Sequence, residues 1–173
     1  MADGKYKVNN SSIPLEVLSF SDAKAGIIYN LLLDTYSKFG ELVQQEKTIW
    51  KEFDRFIFDN LNFMNDCGFI TVEDKNPIGF MSWDPRCIPM SIEIGHNCII
   101  NKCKGKGKGI EQLRIGINKI LKMKPNKIIV KTGRNDFFLP AQKMYESAGF
   151  KMKSIHRTEN ELVPEIIEYE MII

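Results

Sequence analysis

The chain has no apolar run of the ~18 residues that a membrane-spanning helix needs. Met1 to Ser12 is polar and lacks the apolar centre of a secretory signal, so it reads as a frayed start. Histidine is scarce, with only His96 and His156, and the four cysteines are Cys67, Cys87, Cys98 and Cys103. Their spacing fits no zinc pattern, and no metal is expected. The cysteines read as reduced, semi-buried small apolar side chains of a cytoplasmic protein, with a catalytic Cys98 as the alternative. Charge of either sign is nearly balanced, 24 basic against 22 acidic residues, and a formal charge of +2 argues against nucleic acid as a bulk partner. There is no internal repeat and no low-complexity linker, so residues 1–173 read as a single domain; a hydrophobic fraction of 43% supports a sizeable core.

What the chain does have is glycine in one pattern, Lys104-Gly105-Lys106-Gly107-Lys108-Gly109 followed by Ile110. Alternate glycines let the backbone turn tightly and aim successive N–H groups one way. A strand before it (Ser91 to Ile100) and an amphipathic helix after it (Ile110 to Met123) complete an anion site at a helix N-terminus. Its occupant is expected to be a phosphorylated cofactor or substrate; the competing reading is a flexible basic loop. Ile110 stands where the second glycine of a nucleotide P-loop should be, and the third glycine comes too early for Gly-x-Gly-x-x-Gly, which speaks against ATP and NAD.

Around this loop the hydrophobic period assigns the elements. Ile13 to Ser19 is strand-like. A helix from Ala23, capped by Ser21-Asp22, carries Ile27, Ile28, Leu31, Leu32 and Tyr36 and stops near Phe39-Gly40. A second helix covers Lys47 to Asn60, with Trp50, Phe53, Phe56 and Ile57 on one face, and Phe63 and Met64 extending it. Gly68–Glu73 and Ile78–Trp83 form a hairpin about the turn Asp74 to Pro77. Ile128 to Lys131 is a short apolar strand, Pro140 to Gly149 a helix, and Phe150–Arg157 with Pro164–Ile172 a final hairpin. Only the crossover through the glycine loop has a parallel partner. Tyr36, Trp50, Phe53 and Trp83 read as core rather than as a substrate cage.

Three blocks in this order resemble the GNAT superfamily of N-acetyltransferases. They are Lys104-x-x-Gly107-x-Gly109, with Lys in place of the family's Gln or Arg; the strand Lys127 to Thr132 followed by Asn135; and Ala141-x-x-x-Tyr145-Glu146-x-x-Gly149-Phe150. The resemblance implies an α/β (α+β) fold with a mixed, mostly antiparallel sheet of about seven strands flanked by about four helices. It implies acetyl-CoA as co-substrate and a primary amine, on a small molecule, peptide or protein, as acceptor. Cofactor contacts would come from Asn97, Cys98 and Ile99 on a splayed strand, from Lys104, Gly105, Lys106, Gly107, Lys108, Gly109 and Ile110 in the loop, and from Asn135. Asn135 lies ten residues before Tyr145 where the family often shows seven, which makes Asp136 to Pro140 a longer loop.

Acyl transfer to an amine needs a group to take the ammonium proton and another to protonate the departing thiolate. Glu93, on the strand leading into the loop, is the first candidate base and His96 the second; strand alternation puts them on opposite faces. Tyr145 stands where the family places a tyrosine near the sulfur and is the candidate acid. The alternatives are a non-catalytic acyl-CoA-binding or sensing domain and a small RNA-binding protein, against which the near-neutral charge speaks. No membrane or nucleic-acid partner is expected, and a homodimer is left open.

Overall fold

A computed structural model describes residues 15–173; the proposed frayed start, Met1 to Ser12, lies outside the described residues. Two amphipathic helices and a run of strands condense on a seven-stranded sheet. In chain order the elements are β1 (Glu16–Leu18), α1 (Ile27–Tyr36), α2 (Gly40–Asp59), α3 (Leu61–Met64), β2 (Gly68–Glu73), β3 (Asn76–Asp84), β4 (Ile92–Ile99), α4 (Lys108–Leu121), β5 (Lys127–Gly133), α5 (Leu139–Ser147), β6 (Lys151–Arg157) and β7 (Glu165–Ile172). The spatial order is β1-β2-β3-β4-β5-β7-β6. All pairings are antiparallel except β4 with β5.

Apolar residues alternate to the two faces, and each face has its own core. One holds Ile28, Leu32, Trp50, Ile57 and Phe80 under α1 and α2; the other holds Ile92, Leu113, Ile120, Ile128, Tyr145 and Tyr169 under α4 and α5. The β2–β3 hairpin closes through Asp74 and Lys75, both at positive φ (50° and 64°), as a two-residue turn of that twist requires.

The helix starts differ most from the sequence expectation, while β3 (Asn76–Asp84) and β5 (Lys127–Gly133) run one or two residues past the expected Ile78–Trp83 and Ile128–Lys131 at each end. α1 begins at Ile27, not Ala23, and is not capped by Ser21-Asp22, which fall in a short 3-10 turn. The cap comes from a distant residue: the buried Asp54 carboxylate on α2 accepts the N–H groups of Gly26, Ile28 and Tyr29 at 2.7, 2.9 and 3.2 Å. α2 begins at Gly40 rather than Lys47, anchored by buried Leu42, and Phe56 is half exposed rather than on the packed face. α4 begins at Lys108, two residues before Ile110, because Gly107 turns the chain in a left-handed conformation (φ 77°).

Two features of β4 shape the site. Its parallel pairing with β5 stops at Ile94↔Val130, so Gly95–Ile99 diverges from β5. Against β3, Ser82 faces His96 and Trp83 faces Ile94, which leaves Gly95 as the extra residue of a bulge. The bulge reverses the side-chain alternation. His96 therefore stacks on Phe53 (4.6 Å) and Phe80 (5.4 Å), the α1–α2 side. Ile92 and Ile94 pack on the α4–α5 side, so Glu93 shares His96's face. The expected opposition of Glu93 and His96 is corrected by this one inserted residue.

Candidate active site

Stitching between α1 and the glycine loop builds the first wall. The last turn of α1 has spare carbonyls, and the segment after β4 supplies donors to them. Asn101 donates its side-chain amide to the Asp34 carbonyl and its N–H to the Asp34 carboxylate (2.7 Å). Lys104 donates Nζ to the Thr35 carbonyl at 2.5 Å and lies over the Phe137 ring at 5.7 Å. Its side chain is thus folded inward against α1, and burial lowers its pKa. Lys108, at the helix start, pairs with Glu73 at 2.7 Å.

Beyond Lys104 the loop offers donors without acceptors. No described residue accepts a hydrogen bond from the backbone N–H groups of Gly105 through Ile110. Gly105 and Gly107 both take positive φ (74° and 77°), and a Cβ on Gly107 would point into open space. Gly105, Gly107, Gly109 and Ile110 line a cleft of about 680 Å³ whose other walls include Asn97, Ile99, Phe137, Phe138 and Met144.

A smaller cavity of about 220 Å³ lies where β4 and β5 part. Gly95, His96 and Asn97 form one side, Lys131, Thr132 and Gly133 the other, with Tyr145 and Ile166 also in the lining. Tyr36, Asn97, Phe138 and Ala141 line both spaces, so the two share a wall at the splay.

Two tyrosines flank this wall. Tyr145 is buried, with Phe150 and Tyr169 rings at 5.8 and 6.2 Å. Burial above all, and the neighbouring Cys98, hold its phenol well above the usual range, so it stays protonated. Tyr36 stacks on Trp50 (5.1 Å) and Phe137 (5.9 Å) and is likewise raised by burial, then by Cys98. The Cys98 thiol itself is pushed up to about 12 by burial and is no nucleophile at neutral pH.

His96 bonds through Nδ1 to Ser82 Oγ at 3.1 Å, and burial lowers its pKa to about 4, so its imidazole is neutral at pH 7. Glu93 lies just before the splay, paired with Lys131 at 3.0 Å, and lines neither space. A buried amide chain fixes Asn97: Thr71 Oγ1 donates to Gln112 Oε1 (2.6 Å), and Gln112 Nε2 donates to Asn97 Oδ1 (2.6 Å). Asn135 turns away from both spaces and donates to the Leu162 carbonyl at 3.0 Å.

The structure thus brings Asn97, Ile99, Lys104, Gly105, Gly107, Gly109 and Ile110 to the large cleft and Tyr145 to the small cavity. Among the lining residues that sequence reasoning missed as site residues are Tyr36, Lys131, Phe137 and Phe138. The ten-residue spacing from Asn135 to Tyr145 was a signal for the last two, since the extra length forms the 3-10 turn Asp136–Phe138 that carries them. Among the described residues no group of three or more His, Cys, Asp or Glu is placed to hold a metal ion, and no helix is long and apolar enough to cross a membrane.

A mixed sheet with one parallel pair, splayed beside a glycine loop at a helix start, is the fold of the GNAT N-acetyltransferases. Solved structures show this directly. A GNAT-family protein from Desulfovibrio desulfuricans superposes with a TM-score of 0.73 at 13% identity, covering 91% of this chain and 98% of that one. A GNAT acetyltransferase from Elizabethkingia anophelis, solved with acetyl-CoA bound, gives 0.63 at 18% identity over 94% and 100%. Ard1 from Thermoplasma volcanium gives 0.67 at 10% identity over 93% and 99%. No protein-family model matches the sequence, and no curated protein matches it.

Proposed function

We propose that the protein is an acetyl-CoA-dependent N-acetyltransferase acting on a primary amine. The observation that carries this reading is the row of unpaired N–H groups from Gly105 to Ile110 along the 680 Å³ cleft. Donors in that number at a helix N-terminus suit a pyrophosphate. The acetyl-CoA bound in the Elizabethkingia protein of the same fold supports the choice of ligand. When bound, acetyl-CoA supplies the acetyl thioester. The diverging backbone of Asn97, Cys98 and Ile99 holds the pantetheine arm as an added strand would be held. Of the loop lysines, Lys104 lines the cleft and braces the loop against α1, while Lys106 and Lys108 lie outside the lining and Lys108 is paired with Glu73, so the backbone N–H groups are the main donors to the pyrophosphate.

Tyr145 acts as the acid. Its hydroxyl is protonated and borders the cavity where the acyl group would meet the amine. The base role proposed for Glu93 is better filled by His96, which borders the cavity while Glu93 is held by Lys131. With a pKa of about 4 the ring cannot deprotonate a free ammonium ion, so the acceptor enters as the neutral amine; Nδ1 rests on Ser82, and Nε2 takes the proton that the nitrogen sheds once it has bonded to the acyl carbon. Asn135 has a structural role, tying the β5–α5 segment to the β6–β7 connection.

Following free thiol release from acetyl-CoA against a panel of amines tests the proposal. Thiol release that depends on the amine supports transfer. Tight cofactor binding without turnover on any amine would identify an acyl-CoA sensor instead.

A further inference from the structure

The small cavity has one charged group in its lining, and that group is a cation. Tyr36, Asn97, Thr132, Tyr145 and neutral His96 are uncharged, and no carboxylate borders the space; only the Lys131 ammonium does. A positively charged amine entering such a space finds no carboxylate in the lining to pair with, since the nearest one, Glu93, is already held by Lys131. An amine that also carries an anion meets a partner instead. We propose that the acceptor is an amine bearing a carboxylate close to its amino group, as in a free amino acid, and that Lys131 binds this carboxylate.

The inference rests on the acetyl-transfer reading above and adds the substrate class. Its geometry is local. Lys131 and His96 both line this one small space, so an acceptor whose amine lies beside His96 and whose carboxylate lies beside Lys131 carries the two groups close together. Lys131 lies on β5 directly across the splay from the bulge that carries His96. Its present partner, Glu93, holds it at 3.0 and 3.2 Å, with both side chains about two-fifths exposed (39% and 43%). So exposed a pair contributes little, and a ligand carboxylate can replace Glu93 at Nζ. Glu168 is the cross-strand neighbour of Lys131 on β7, but its carboxylate lies beside His156, so Glu93 is the one carboxylate paired with the Lys131 ammonium among the described residues. A charge-assisted contact of this kind is directional and favours a planar carboxylate over a neutral amide or ester.

The test uses the full chain, acetyl-CoA and matched acceptors: alanine with ethylamine, leucine with isoamylamine, and phenylalanine with phenethylamine, each compared per neutral amine. The carboxylated member of at least one pair is expected to show a kcat/KM about ten- to hundredfold higher, the range of one hydrogen bond to a charged group. Lys131→Met should bring that ratio close to one, and Lys131→Arg should restore much of it. Calorimetry with coenzyme A reports that each variant is folded. Equal use of both members of every pair, or a preference that survives Lys131→Met, overturns the inference while leaving acetyl transfer intact. Coenzyme A binding with no amine of either kind acetylated overturns the transfer reading and this inference with it.

Discussion

Tyr145 and Tyr36 approach the same stretch of β4 from opposite faces of the sheet, and both remain phenols at any working pH. Only the first borders the small cavity without also bordering the large one. Tyr145→Phe is therefore expected to lower kcat by about 10²-fold with little change in cofactor Kd, the range for losing a general acid. Full activity in that variant, with loss in Tyr36→Phe, would move the acid to Tyr36. His96 gives a pH signature. Its pKa falls from 6.5 in the unfolded chain to about 4 when folded, so between those values the unfolded state binds more protons. Stability should be full above pH 6.5 and decline as pH drops toward 4, by at most about 1.4 kcal/mol per unit from this group. Thermal melts of wild type and His96→Gln across that window check it: the variant should show a shallower decline.

At the scale of elements, the turn into α4 is where a substitution should act on cofactor binding rather than on the fold. Gly107 sits at φ 77° with open cleft before it. Gly107→Val should weaken acetyl-CoA binding more than tenfold, since a left-handed conformation costs a residue with a side chain roughly 1–2 kcal/mol and the added branch enters the approach to the N–H groups. Calorimetry reads the affinity, and an unchanged Kd would separate the loop from the cofactor. A different glycine gives the contrast: a Cβ on Gly79 would stand 2.2 Å from the Cys98 carbonyl, so Gly79→Ala should destabilise the fold itself. Both the β2–β3 hairpin and the β6–β7 hairpin were legible because their period and turn residues lie within a few positions of each other. The start of α1 was not, because its cap, Asp54, lies 28 residues from Gly26. The relation of Glu93 to His96 was misread for a similar reason: one bulged glycine, set by pairing with β3, flips every side chain beyond it. The glycine loop itself was legible, its helix start only to within two residues. Lys131 was hidden because an apolar strand with a lysine at its end carries no motif; only the divergence of β4 from β5 gives it a cavity to face.

Across the whole molecule, two separate cores grip the two faces of one sheet, and the proposed chemistry lies where the sheet opens between them. The net charge of +2 hides a local concentration at Lys102, Lys104, Lys106 and Lys108. Raising salt from about 0.1 to 1 M shortens the screening length from ~10 to ~3 Å and should weaken acetyl-CoA binding several-fold. The N–H donors at the start of α4 are fixed by the fold, so most of the affinity should survive the added salt. The most direct measurement is calorimetric titration of wild type and Gly107→Val with acetyl-CoA and, in parallel, with S-acetylpantetheine, which carries the same thioester and arm but neither the pyrophosphate nor the phosphorylated adenosine. If Gly105 to Ile110 cradle the pyrophosphate, acetyl-CoA binds one site per wild-type chain and S-acetylpantetheine binds at least about a hundredfold more weakly, the loss of two hydrogen bonds to a charged group at the low end of their range; Gly107→Val, by weakening acetyl-CoA, narrows that gap. Equal affinity of wild type for the two, or no binding of acetyl-CoA, would contradict the account.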